Sequence, residues 1–128
     1  MESAFELHTI TASCAELNSV EAFSWNKGFK EYFAVKATPN PHIMKVLHEE
    51  GCGCDCSSYT ELLLAEAIGA TGYDVMFSSN VTPELDMRKA YEMGSYINLD
   101  DATHVEFLER ICDGKVPETV CLRYNPGG

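Results

Sequence analysis

Four times between residues 31 and 114 a short apolar run is followed by a breaker and then by a longer amphipathic segment, and this alternation restricts the chain to very few folds. EYFAVKA at 31–37 reads as a buried strand. Pro39-Asn40-Pro41 breaks it, and HIMKVLHEE follows with Ile43, Val46 and Leu47 at the i, i+3, i+4 spacing of one helical face. Gly51 and Gly53 are expected to end that helix, and the CDC of 54–56 to make a short second strand. SSYTELLLAEAIGA opens on Ser58-x-x-Glu61, a capping box, runs through Leu62, Leu63, Ala65 and Ala67, and stops near Gly69. DVMFSSN is a third strand and TPELDMRKAYEMG a helix with Pro83 in its first turn. SYINLD is a fourth strand, DATHVEFLERICDG a helix ended by Gly114, and TVCLRYNPGG a fifth strand. Residues 5–29 are less regular, and FSWNKGFK reads as a loop.

Strand-to-helix units of about 20 to 25 residues argue for a parallel sheet with crossover helices. A doubly wound open sheet and part of a (β/α)8 barrel both satisfy this pattern. A full barrel takes ~250 residues, whereas this chain has 128 and closes on a strand. An incomplete barrel is therefore the expectation if the fold is a barrel.

Composition narrows the function more than the fold. Twenty acidic against nine basic residues give a net charge of -11, which repels phosphate backbones and anionic lipid headgroups. Nucleic acid and membrane surfaces are not expected partners. The sequence contains no apolar stretch near the ~18 residues of a membrane span, and the expected location is the cytoplasm. Six cysteines, Cys14, Cys52, Cys54, Cys56, Cys112 and Cys121, read as reduced thiols. The C-x-C-x-C spacing of 52–56 puts three on one strand face and is not that of a typical zinc site, so no metal is expected.

In α/β folds reactive groups collect at the carboxyl ends of the strands. Lys36 is expected at the end of the first strand, Asp55 at the second, Ser78 to Asn80 at the third, Asp100 at the fourth and Arg123 on the fifth. A lysine flanked by Ala34 and Ala37 in a half-buried run would have its charged form disfavoured, and a neutral amine attacks a carbonyl to form an imine. The structural alternative is a lysine that carries its ammonium to the rim or pairs with Asp55.

The segment EYFAVKATPNPHIMKVLHEEGCGCDCSSYTELLLAEAIG, followed by VMFSSN, INLDD and RYNPGG, resembles the diaminopimelate decarboxylases of the fold-type III pyridoxal-phosphate group. That group also includes ornithine and arginine decarboxylases and, more distantly, alanine racemase. The resemblance covers residues 23 to 128 and is strongest in Ala34-Val35-Lys36-Ala37 followed by Asp55 in DCSS and then Glu61. It implies a partial (β/α)8 TIM barrel of the alanine racemase-like type, truncated after about five strands. Residues 1–128 would be the amino-terminal portion of a barrel domain that binds pyridoxal 5'-phosphate. Lys36 would hold the cofactor covalently, Ala34 and Asp55 would lie beside it, and Arg123 would organise the cofactor side of the pocket. Glu61 also matches a position near the site, beside its capping role.

The implied reaction is decarboxylation of meso-diaminopimelate to lysine by a homodimeric enzyme acting on a small amino-acid substrate. Other parts of the family pattern are not found in this chain: a histidine stacked on the cofactor, a glycine-rich phosphate-binding run, a glutamate facing the pyridine nitrogen, a substrate-binding arginine, and a cysteine and tyrosine from a second, mostly β domain. His8, His42, His48 and His104 lie outside the family's histidine context, and residues 3–17 match its opening strand only loosely. The isolated chain is therefore expected to be inactive. The alternatives are a decarboxylase of ornithine, arginine or carboxynorspermidine, a non-catalytic cofactor-binding protein, and a truncated module without function.

Overall fold

The structure is a computed structural model that describes residues 22, 23 and 25–124. Five strands form one sheet in the order β1-β2-β3-β4-β5, and every neighbouring pair is parallel. They are β1 (Tyr32–Ala34), β2 (Gly53–Cys56), β3 (Val75–Ser78), β4 (Tyr96–Leu99) and β5 (Cys121–Leu122). Between them run α1 (Pro41–Glu49), α2 (Tyr59–Ala67), α3 (Glu84–Glu92) and α4 (Thr103–Ile111). A doubly wound sheet reverses its strand order at a switch point, whereas a barrel wall adds each strand beside the last. The unbroken sequential order is that of a (β/α)8 wall.

The period-2 alternation of each strand decides which face the helices cover. Cys54, Cys56, Val75, Phe77, Ile97 and Leu99 are buried, while Asp55, Met76, Ser78, Tyr96 and Asn98 between them are only partly so. The buried set packs with Met44 of α1, Leu62 and Ala65 of α2, Met87 and Ala90 of α3 and Leu108 and Ile111 of α4. Each of the larger of these side chains contributes roughly 1.5–3 kcal/mol by leaving water. Helix α3 is tied to both of its neighbours. Asp86 accepts from the free Tyr59 N–H at the start of α2 at 3.0 Å, Lys89 pairs with Glu66 at 2.7 Å, and Arg88 donates to the Ile111 carbonyl at the end of α4 at 3.3 Å.

Several boundaries differ from the sequence expectation. β1 stops at Ala34 because its pairing with β2 ends there. Val35–Ala37 then forms a 3-10 turn in which the Thr38 N–H closes on the Val35 carbonyl. Val35 is fully buried and anchors this turn, and Lys36 beside it is exposed rather than partly buried. On α1 the buried face is Ile43, Met44 and Leu47; Val46 faces solvent. The Ser58 hydroxyl accepts from the Glu61 N–H at 3.4 Å, but Glu61 reaches one residue further back than in a standard capping box, to the Ser57 N–H at 2.7 Å. The described part of FSWNKGFK carries turns, and the expectations for residues 5–21 lie outside the described residues.

Gly53 does not end the helix. Gly51, at φ +97, follows α1, and Gly53 opens β2. A Cβ at Gly53 would stand 2.6 Å from the Tyr32 ring and 2.8 Å from the Asp74 carbonyl, so only glycine lets that ring lie across β2. The Tyr32 hydroxyl donates to the Tyr73 carbonyl at 2.6 Å, Tyr73 stacks on Tyr96 at 4.4 Å, and Lys30 pairs with Asp74. Burial, with the nearby Tyr96 and Asp74, pushes the Tyr32 phenol up to about 12. Gly53→Ala should destabilise the chain by roughly 1–3 kcal/mol, the usual penalty for overpacking, read as a fall in the urea midpoint. Adding Tyr32→Ala should restore only part of that loss, since the backbone clash with Asp74 persists.

Candidate functional site

The face of the sheet away from the helices carries the polar alternates of the strands. The parallel register aligns Ala34 with Asp55, Asp55 with Met76, and Ser78 with Asn98, which in turn aligns with Cys121. Tyr32, Asp55, Met76, Ser78, Asn98, Cys121 and Arg123 line a cleft of about 350 Å³, within the size range of small-molecule sites. The structure thus brings Asp55, Ser78 and Arg123 together as expected. Asn98, Cys121, Tyr32 and Met76 were not anticipated. Counting back two residues from Asp100 and Arg123 would have found the first two.

Lys36 and Ala34 are not part of the cleft wall. Ala34 is the register partner of Asp55, and Lys36 stands two residues beyond it in the turn. Among the described residues no ion pair joins Lys36 to Asp55, although its charge acts on Asp55 through space; its exposure fits an ammonium carried to the rim. Glu61 sits half-buried and committed to Ser57 through backbone and hydroxyl.

Asp55 is the unusual group of the site. Its Oδ1 is buried without a hydrogen-bond partner, a state that costs free energy in a folded protein unless a ligand relieves it. Burial raises its pKa; the Ser78 hydroxyl and the Lys36 charge oppose that shift, and Glu61 adds to it. At the other side of the cleft, Arg123 donates to Asn80 Oδ1 at 3.2 Å and lies 3.6 Å from Asp100 Oδ2, whose partner oxygen accepts from Asn98 at 3.2 Å.

The cysteines stand apart from this chemistry. Cys52, Cys54, Cys56 and Cys112 are buried, and Cys121 is half-exposed in the cleft. Burial pushes the Cys54 thiol up to about 11 and Cys56 further. Among the described residues no cluster of three metal-ligating side chains exists and no helix is long and apolar enough to cross a membrane. His42 lies in the first turn of α1, and His48 Nδ1 lies 3.2 Å from the Cys52 carbonyl, a local helix-end contact.

The residues fit a small polar ligand with an aldehyde and anionic oxygens. A lysine amine stands at the strand end, Asp55 offers an unpaired acceptor, and Arg123 offers donors. Because folding raises the Asp55 pKa, the folded chain holds this proton more tightly than the unfolded chain, and stability falls as pH rises from the ordinary carboxylate range toward the raised value. Asp55→Asn removes that penalty. The variant should unfold at a higher urea concentration than wild type at a pH of about 7, and the gain should vanish at a pH of about 3, where wild-type Asp55 is protonated in both states.

Comparison with known proteins agrees with this geometry. Residues 9–128 match the family described as "Pyridoxal-dependent decarboxylase, pyridoxal binding domain". The chain is 40% identical over 111 residues to Protein TabA of Pseudomonas amygdali pv. tabaci, covering 87% of this chain and 25% of that protein. It is 30% identical over 95 residues to a diaminopimelate decarboxylase of Thermoplasma acidophilum, covering 74% and 22%. The solved ornithine decarboxylase of Entamoeba histolytica superposes with a TM-score of 0.65 at 26% identity over 88% of this chain and 34% of that one. The chain thus spans about a quarter of the length of the curated relatives it matches. The chain belongs to the pyridoxal-dependent decarboxylase family, as part of its pyridoxal-binding barrel domain.

Proposed function

We propose that this chain is the amino-terminal portion of the barrel domain of a diaminopimelate decarboxylase, and that Lys36 is the residue that holds pyridoxal 5'-phosphate. The observation that carries the reading is that Asp55 and Arg123 line one cleft of a sequentially ordered parallel sheet, with the Lys36 charge acting on Asp55 through space, in a chain of this family. The chemistry that pyridoxal 5'-phosphate supplies when bound is an electron sink for the substrate α-carbon, which allows the α-carboxylate to leave as carbon dioxide. Lys36 would hold the cofactor through its amine, and its position in a turn rather than a strand leaves the side chain room to move. Asp55 supplies an acceptor for a proton-bearing group, and Ala34 leaves space beside it. Arg123 supplies donors to anionic oxygen.

Preference for meso-diaminopimelate over ornithine or another basic amino acid is supported by the resemblance to diaminopimelate decarboxylases. The working enzyme is proposed to be a cytoplasmic homodimer that adds the rest of the barrel and a second, β-rich domain. Those parts would supply the phosphate-binding and pyridine-nitrogen contacts, so the 128-residue chain is expected to be inactive by itself.

Addition of pyridoxal 5'-phosphate should produce the absorbance band of an imine of this cofactor. Borohydride followed by peptide mapping should place the label on Lys36, and Lys36→Ala should abolish it. Labelling spread over surface lysines would count against the assignment. Carbon dioxide release from meso-diaminopimelate by the purified chain should be undetectable, and turnover at a rate ordinary for enzymes would refute the expected inactivity.

A further inference from the structure

Arg123 is held in a way that an exposed arginine does not need. Its backbone N–H donates to the Leu99 carbonyl at 3.1 Å and so carries the β4–β5 ladder past the end of β5. A single nitrogen, Nη1, then meets two acceptors from the two preceding strand ends: Asn80 Oδ1 at 3.2 Å and Asp100 Oδ2 at 3.6 Å. Asp100 is itself held, because its other oxygen accepts from Asn98 Nδ2 at 3.2 Å, and Asn98 lines the cleft. The Asp100 side chain is 17% exposed against 50% for Arg123. Among the described residues no acceptor engages Nε or Nη2.

We propose that Asp100 and Asn80 are positioning residues that fix the plane of the Arg123 guanidinium and leave its Nε and Nη2 donors for an anionic oxygen of the bound cofactor. This rests on the reading of the cleft as the cofactor site. A planar fork fixed at one nitrogen has lost most of its rotational freedom, so little further ordering is needed when the remaining donors engage an oxyanion. An ion pair this exposed adds little to stability. What the arrangement supplies is direction.

The sign of the effect separates positioning from simple charge. In a chain of net charge -11, removing the Asp100 carboxylate would by charge alone strengthen binding of an anionic ligand. Loss of positioning weakens it. The test is titration of the full chain with pyridoxal 5'-phosphate, followed by absorbance, for wild type, Asp100→Ala, Asp100→Asn, Asn80→Ala, Arg123→Ala and the double variant Asp100→Ala/Arg123→Ala. Asp100→Ala and Asn80→Ala should each weaken binding by about fivefold, within the usual range for coupled neighbours. Asp100→Asn, which keeps an acceptor, should recover most of that loss. The double variant should bind like Arg123→Ala alone.

A cofactor-free readout accompanies the titration. In nitrogen-15 relaxation spectra the Arg123 Nε–H should be ordered in wild type and mobile in Asp100→Ala, with thermal midpoints nearly equal. Tighter or unchanged binding by Asp100→Ala, losses that simply multiply in the double variant, or a mobile Arg123 in wild type would each overturn the proposal while leaving the cofactor site intact. Failure of wild type to bind the cofactor at all would overturn the reading of the cleft and the proposal with it.

Discussion

Strand β2 is hydrogen-bonded on both sides, and its pairing of Ala34 with Asp55 and of Asp55 with Met76 determines which residues face the helices and which face the cleft. A slip of one residue would turn Asp55 into the apolar layer and carry Cys54 and Cys56 out of it. Burying a carboxylate among Leu62, Val75 and Phe77 without a partner is costly, so this register is strongly specified. The Tyr32 ring adds a second lock, because it fits across β2 only where Gly53 stands.

From that register follows a division of labour between the two ends of the sheet. At the amino-terminal end, Tyr32, Tyr73 and Tyr96 with the Lys30–Asp74 pair make a packed floor. Toward the carboxyl-terminal end polar groups gather, Asp55 within β2 and, in the loops past the strands, Lys36 after β1, Asn80 after β3, Asp100 after β4 and Arg123 after β5. Helix α3 holds its neighbours through Asp86, Arg88 and Lys89, and it contributes nothing to the cleft wall. Structure and chemistry are thereby carried by different residues, and Asp55 is the place where they conflict. Its unpaired buried oxygen burdens the fold and suits a ligand.

Much of this was legible in the residues. Strand and helix alternation, the Gly69 and Gly114 stops, and the placing of Asp55, Ser78 and Arg123 on one side all follow from periodicity and turn chemistry. Three features were not, each for a physical reason. Lys36 lies in a turn because Val35 takes the last buried position after β1, and an apolar run does not disclose where its ladder ends. Met44 and not Val46 is buried because α1 sets Ile43 and Leu47 against Phe33 and Cys52 while Met44 enters the main core, contacts made outside the helix itself. Gly53 reads as a helix stop by composition, and its true role depends on a ring twenty-one residues earlier in the chain. Periodicity alone left an open sheet and a barrel wall equal; the family resemblance chose the barrel, and the sequential strand order agrees with it.

The central claim is that the cleft on the helix-free face of these five strands, with Lys36 just past the end of β1, is where the chain takes its cofactor. Amide chemical-shift mapping of the nitrogen-15-labelled chain, titrated with pyridoxal 5'-phosphate, tests this most directly. The largest changes are expected at Lys36, Asp55, Ser78, Asn98 and Arg123. Changes confined to the helix-covered face, or to the opposite end around Tyr73 and Tyr91, would contradict it.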